Sequence, residues 1–232
     1  AVTVPLAHAH PFDVSPTEAV AVQRRLEPLV RETPLDAAAV QTVGGLDVSV
    51  RGDRVRAAVV VLDAATLAVV DEAVWEGPVA FPYVPGLLSF REIPALMPAL
   101  ERLSALPDVL VLDAHGRAHP RRFGLACHLG VLLDRPAIGV AKSLFVGRFA
   151  DLGEDKGSTA PLVHRGETVG MAVRTRARVL PVFVSVGHRC TLADAVALTL
   201  RTTGRFKIPE PTRLAHALSY RQDDTGRAGS AS

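Results

Sequence analysis

The chain has 232 residues, 48% of them hydrophobic, and a formal charge of only +2. That is apolar material for a full core, and the charge is too small to identify a nucleic-acid partner by itself. No apolar run approaches a membrane span, and two cysteines, Cys127 and Cys190, are too few to staple a domain of this size, so a membrane-spanning protein and a disulfide scaffold are both excluded.

The cysteines lack metal-ligand spacing and read as small apolar packers in a reducing compartment. With no secretory pattern at the N-terminus, the expectation is a cytoplasmic protein without a membrane partner, a monomer, forming one domain over residues 1–222 with a disordered polar tail over 223–232.

In chain order, residues 1–15 show no periodicity and are expected as an extended arm. Residues 16–31 carry a helical pattern, with Ser15 as N-cap and Pro16 at the first helical position, in a peripheral helix. Residues 43–50, 54–62 and 67–75 read as three strands, the last two joined by the link 63–66, which is too short for anything but a hairpin. The period of two puts Leu46, Val48 and Val50 on one face of the first strand and Asp47 and Ser49 on the other. Asp47 is then a carboxylate inside a strand, either capping a nearby turn or serving a site.

Residues 77–86 form a loop in which Pro82 and Pro85 flank Tyr83. Stiff backbone on both sides holds the ring out, either as a packed loop tyrosine or as a wedge of the kind that unstacks bases. Ser89-Phe90-Arg91-Glu92 opens a helix with Ile93, Leu96, Met97, Leu100 and Leu103 at helical spacing and a bend at Pro98. Taken alone, Ser-x-x-Glu favours a capping box in which Glu92 satisfies the Ser89 N–H.

The most informative stretch is residues 108–142. Its all-apolar residues 109–112 predict a strand buried on both faces, ending at Asp113. A turn with His115 and His119 follows, then a helix over 121–133, then a second apolar strand over 137–141 that stops on Lys142. Ligands of open α/β sheets gather at the carboxyl ends of strands, so an acid and a base are aimed at one edge.

Beyond it, residues 151–159 read as a mobile polar loop, and 168–174 with 180–185 as a strand pair around a basic turn at 174–178. Thr191 caps a helix to about 202. The last helix, 211–220, carries Arg213 and His216 one turn apart and therefore projecting together. Basic residues gather in Arg117/Arg121/Arg122, Arg174/Arg176/Arg178 and Arg201/Arg205/Lys207/Arg213. Each patch alone is a solvated face; brought together they make a phosphate-binding surface.

Three antiparallel strands followed by helix, strand, helix and strand form the order of a ribonuclease H-like sheet. The expected class is α/β, with a mixed five-stranded central sheet flanked by helices and with extra strands and helices. In that layout Asp47 and Asp113 are neighbours. Paired carboxylates raise each other's pKa, a penalty that a divalent ion removes, and oxygen-only ligands favour Mg²⁺ or Mn²⁺ over zinc.

Five strings then carry a family resemblance: Val-Gly-Gly-Leu-Asp-Val-Ser (43–49), Pro-Tyr-Val-Pro-Gly-Leu-Leu-Ser-Phe-Arg-Glu (82–92), Asp-x-His-Gly-x-Ala-His-Pro-Arg-Arg-Phe-Gly-x-Ala (113–126), Ile-Gly-Val-Ala-Lys-Ser (138–143) and Pro-Glu-Pro-Thr-Arg-Leu-Ala-His (209–216). In this order and at these separations they closely resemble endonuclease V. The resemblance implies metal-dependent cleavage of inosine-containing nucleic acid at the second phosphodiester bond 3′ to the base, leaving a 3′-hydroxyl and a 5′-phosphate, in repair of deaminated DNA.

Carried over by position, the resemblance makes Asp47, Glu92 and Asp113 ligands of Mg²⁺, with Mn²⁺ as a substitute, and Lys142 and His216 further catalytic residues. It turns Glu92 from a cap into a ligand. Tyr83 becomes the wedge that fills the gap left by a flipped inosine. Backbone N–H groups at Gly86, Leu87 and Gly116, with His119, become the candidate donors to the hypoxanthine O6.

Two positions depart from the family: Ala114 replaces a glycine, which is costly if φ there is positive, and Val186 stands where proline is common. Other readings are a zinc site of Asp113, His115, His119 and His128, a ribonuclease acting mainly on inosine-containing RNA, and a silent nucleic-acid binder, whose mark would be a lost carboxylate.

Overall fold

The two apolar runs anchor the architecture. In the computed structural model, which describes residues 1–221, β4 (Val109–Leu112) and β5 (Ala137–Ala141) have every residue buried and lie side by side in parallel. Full burial of each Val, Leu or Ile in such a strand is worth about 1.5–3 kcal/mol, so central placement is their most stable solution. The tail expected over 223–232 lies outside the described residues.

Ahead of these strands, β1 (Thr42–Arg51), β2 (Arg54–Asp63) and β3 (Val69–Pro78) pair antiparallel, and β1 joins β4 in parallel. The third strand begins later than expected because Leu67 takes φ 60° at the end of the hairpin turn. Asp63 Oδ1 accepts the Ala65 and Thr66 N–H groups at 3.0 and 2.8 Å inside that turn.

On the other side, β8 (Val182–His188) pairs antiparallel with β5, followed by β7 (Glu167–Val173) and β6 (Thr159–His164). The order is β3-β2-β1-β4-β5-β8-β7-β6. The first five strands are the expected ribonuclease H-like sheet, and the remaining three extend it to eight. Strand β6 lies outside the expected strand pair and begins at Thr159, the last residue of the expected polar loop.

Two layers of helices cover the sheet. The helices α2 (Leu88–Glu101) and α3 (Leu125–Leu133) close one face with Leu46, Ile93, Leu96, Leu110 and Leu129. Helices α4 (Leu192–Arg201) and α5 (Glu210–Tyr220) close the other over Val60, Val109, Val111, Ile138 and Val184. The cap expected at Thr191 is present, completed by Asp194. Helix α1 (Pro16–Leu26) starts at the expected Ser15 cap, and its Ala19, Val22 and Leu26 pack on Phe81, Leu87 and Phe90. The arm before it crosses the surface, donating Val2 N–H to Glu101 and Ala7 N–H to Leu132.

The capping-box reading of Ser89 fails. The α2 N-cap is Leu87, and Ser89 is buried with Oγ 2.7 Å from His128 Nδ1. Helix α3 starts four residues after the expected 121, because residues 119–124 fold as a turn in which Arg122 has φ 57°. Among the described residues no helix is long and apolar enough to cross a membrane.

Candidate active site

Asp47 and Asp113 meet through register. Leu46 pairs with Leu112, so the next residue of each strand lies at the same level, and the Asp113 N–H donates to the Leu46 carbonyl at 3.3 Å. Strand β4 ends there while β1 runs on beside β2, which leaves Asp47 opposite Ala58 in mid-strand and Asp113 at an open edge.

Helix α5 crosses β1 at close range, and Gly45 makes room for it. A Cβ on Gly45 would lie 1.9 Å from the Pro211 carbonyl oxygen. The crossing brings His216 Nδ1 to 2.9 Å and the Ser219 hydroxyl to 3.0 Å from Asp47 Oδ2. Lys142, immediately after β5, forms an ion pair with Asp113 Oδ2. The carboxylates are recessed, each with a side chain 12% exposed, whereas Lys142 and His216 are 41% and 47% exposed. Acids therefore form the floor and basic groups the rim.

One ligand atom each of Asp47, Asp113 and His216 lie within 4.8 Å of one another, the single such group among the described residues. Glu92, in the second turn of α2, stands outside that radius but acts on it electrostatically. Burial first, and then the Asp47 and Asp113 charges, hold its carboxyl well above the usual range, with Arg91 opposing. Burial also raises Asp113, against the lowering effect of Lys142. Carboxylates held together at this cost fit a hard divalent cation, which supplies the missing positive charge.

Beside the acids opens a cavity of about 490 Å³ lined by Tyr83, Gly86, Asp113, His119, Lys142 and Phe145. Tyr83 projects 70% exposed. Behind it Val84-Pro85-Gly86-Leu87 closes a turn through the Leu87 N–H to the Val84 carbonyl at 2.9 Å, with Gly86 at φ +85°. Proline second and left-handed glycine third define a type II turn, so a Cβ at Gly86 would strain it.

His119 donates from Nε2 to the Gly86 carbonyl at 2.9 Å and accepts the Arg121 N–H on Nδ1 at 3.1 Å. The carbonyl only accepts, which fixes the tautomer. Burial takes the His119 pKa down to about 4, so the ring is neutral. Both of its nitrogens are engaged within the protein, as is the Gly116 N–H, which donates to Ser185 Oγ at 2.8 Å. Of the expected donors, Gly86 N–H alone lacks a partner among the described residues.

Ala114 is absent from the positive-φ residues, and its buried methyl packs into the main core, so the glycine-to-alanine departure carries no backbone strain. Val186 is likewise a core residue. The four zinc candidates do not converge. His128 is fully buried between Ser89 and His10, with 2.7 Å contacts to each, and His119 is engaged as above. Arg213 and His216 do not act together: Glu210 holds Arg213 through 2.9 and 2.6 Å contacts while His216 turns to Asp47. Arg117 pairs with Glu27 and Glu32, and Arg122 with Glu167, which makes the first basic patch largely internal.

Two neighbours of the site escaped sequence reasoning. Ser219 lies one turn beyond His216, a helical spacing that was available as a signal. Gln23, on α1, is 1% exposed, and the polar residue among Ala19, Val22 and Leu26 was its only mark.

The model of the family "Endonuclease V" matches residues 24–217. An endonuclease V of Methanopyrus kandleri is 54% identical over 205 residues, covering 88% of this chain and 87% of that protein. The crystal structure of the Streptomyces avermitilis endonuclease V superposes with a TM-score of 0.86 at 49% identity, covering 94% of this chain and 96% of the other. The endonuclease V of Ciona intestinalis, solved in complex with a 24-mer DNA containing an inosine followed by a ribo-adenosine, gives 0.75 at 28% identity, covering 88% and 95%. With that match over most of its length and a nuclease-type acidic cluster at the sheet edge, this chain belongs to the endonuclease V family.

Proposed function

We propose that the chain is an inosine-directed endodeoxyribonuclease of deaminated DNA, cutting the second phosphodiester bond 3′ to the lesion. The observation that carries this reading is the juxtaposition of the Asp47, Asp113 and His216 cluster with a cavity behind an outward-held Tyr83. The DNA of the Ciona intestinalis complex, which contains an inosine, supports the substrate class.

Asp47, Glu92 and Asp113 would hold Mg²⁺, with Mn²⁺ as a substitute. When bound, the ion supplies Lewis-acid stabilisation of the phosphate charge and a more acidic water. His216 directs Nδ1 at Asp47, and donation there leaves Nε2 as the proton-exchanging atom. Lys142 carries its ammonium at the rim, where it offsets charge on the scissile phosphate. Water attacks phosphorus in line, a new P–O bond forms, the P–O3′ bond breaks and O3′ takes up a proton. The products are a 3′-hydroxyl and a 5′-phosphate.

Tyr83 stands where it can fill the stack as the inosine turns into the cavity, and the type II turn presents the Gly86 N–H to the base. His119 serves that turn rather than O6, since its ring nitrogens are already used. The enzyme works as a cytoplasmic monomer through one domain over residues 1–222.

The test is an incision assay on end-labelled single-stranded DNA, duplex DNA and RNA, each with one inosine, with Mg²⁺ or with chelator. Mg²⁺-dependent cutting one nucleotide beyond the inosine's 3′ neighbour bond is expected, with DNA preferred. No metal-dependent incision in any of them refutes the reading, and a preference for RNA reassigns the substrate.

A further inference from the structure

We infer that Gln23 is a positioning residue of the base pocket, which makes α1 part of the recognition machinery although none of the five resembling strings includes it. The inference rests on the reading of the cavity as the site of the flipped base.

The Gly86 carbonyl oxygen is met by three donors: Gln23 Nε2 at 2.8 Å, His119 Nε2 at 2.9 Å and Arg121 Nη2 at 3.0 Å. Two lone pairs shared among three donors make this the most heavily anchored peptide of the loop. Gln23 Oε1 in turn accepts from Arg121 Nε at 2.6 Å. The amide is therefore read at both ends. Turning it over would set a donor against the guanidinium and an acceptor against the carbonyl.

Burial gives the contacts their weight. Gln23 is 1% exposed on the face of α1 that packs with Val22 and Leu26 against Phe81, Leu87 and Phe90. An apolar side chain would fill that space without any hydrogen-bonding demand, whereas a buried amide is tolerated only with its partners in place. Arg121 forms no ion pair with a carboxylate among the described residues, and Gln23 and the Gly86 carbonyl are what hold its guanidinium.

The held peptide is the one that matters for the pocket. Glycine at φ +85° is the freest point of the segment that presents Tyr83 on one side and opens α2, with Glu92, on the other. Gln23 and His119 both line the cavity itself. The held carbonyl shares its peptide plane with the Leu87 N–H, which closes the turn on the Val84 carbonyl at 2.9 Å. Anchoring it locks the whole type II turn, and through the turn the direction of the Gly86 N–H and the reach of the wedge, which sets how strictly the pocket discriminates between bases.

The experiment compares wild type, Gln23→Met, Arg121→Leu, the double variant and Val22→Ala on oligonucleotides carrying either inosine or adenosine at one position. Methionine keeps the volume of glutamine and removes both hydrogen bonds. Gln23→Met is expected to lower the inosine-over-adenosine ratio of kcat/KM about tenfold, mainly through KM for the inosine strand. The double variant should be no worse than the poorer single one, because the residues act on one carbonyl. Val22→Ala, which only thins the same packing, should lower Tm and keep the wild-type ratio.

An unchanged ratio in Gln23→Met, an equal drop in Val22→Ala, or multiplying effects in the double variant each overturn the inference while the proposed function stands. Wild-type protein that ignores inosine overturns both.

Discussion

Removing one hydroxyl at Ser219 tests how the carboxylate floor is held. Ser219 is 1% exposed, and its hydroxyl lies between two acceptors, Asp47 Oδ2 at 3.0 Å and the His216 carbonyl one turn back at 2.9 Å, of which the charged carboxylate is the stronger. The same Asp47 oxygen faces His216 Nδ1 at 2.9 Å. A hydrogen bond to a charged group contributes about 1.5–3 kcal/mol, and each 1.4 kcal/mol is about tenfold. Ser219→Ala leaves α5 intact, since alanine is the better helix former and the lost volume is one oxygen. Asp47 keeps His216 but loses the group that fixes its second direction.

The expected outcome is a metal half-saturation for incision raised roughly tenfold to a hundredfold, the range typical of losing a partner behind a ligand. The plateau rate at saturating Mg²⁺ should recover most of its wild-type value. The measurement is cutting rate against Mg²⁺ concentration at fixed pH and ionic strength, with isothermal titration of Mn²⁺ as a check independent of turnover. Half-saturation within twofold of wild type in both would refute the idea that Ser219 orients Asp47.

Asp47→Asn and Asp113→Asn should each abolish incision while gel-shift binding of an inosine strand persists; residual cutting above about 1% of wild type counts against their role as ligands. Tyr83→Ala should weaken discrimination of inosine more than the rate of the bound complex, and an unchanged preference would remove the wedge. His119 sits neutral, with its pKa down at about 4 from an ordinary 6.5, so the unfolded chain binds its proton first as pH falls. Its share of stability is fully present above about pH 6.5 and is lost toward pH 4, amounting to about 2 kcal/mol by pH 5. Urea unfolding of wild type and His119→Gln at pH 7 and pH 5 should show the smaller loss in the variant. Gly45→Ala should cost about 1–3 kcal/mol and most of the activity by pushing α5 off β1; a stable, active variant would show that the crossing has slack.

The parts of the fold legible in sequence were those decided by near neighbours. β4 and β5 match their expected ends residue for residue, because an all-apolar run stopped by Asp113 or Lys142 has one stable placement. Thr191 and Ser15 were legible as caps for the same reason, each satisfying a backbone N–H three residues away. Strand β6 was missed because it is a short edge strand with alternate residues exposed and Pro161 inside it, a weak pattern beside a polar loop. Ser89 departs from expectation for a different reason. Its spacing to Glu92 imitates a capping box, while its hydroxyl is taken by His128, 39 residues away.

By itself the sequence determined the ribonuclease H-like order of elements, the identity of the acids at the sheet edge and the family. Tertiary structure alone decided how polar groups are shared. It tied Asp47 to Ser219 across 172 residues and Gln23 to Gly86 across 63, engaged both nitrogens of His119, and left Ala114 free of strain. The physical reason is range. Apolar periodicity and strand ends are fixed by local chemistry, whereas a buried donor or acceptor finds its partner only when packing has brought distant elements together.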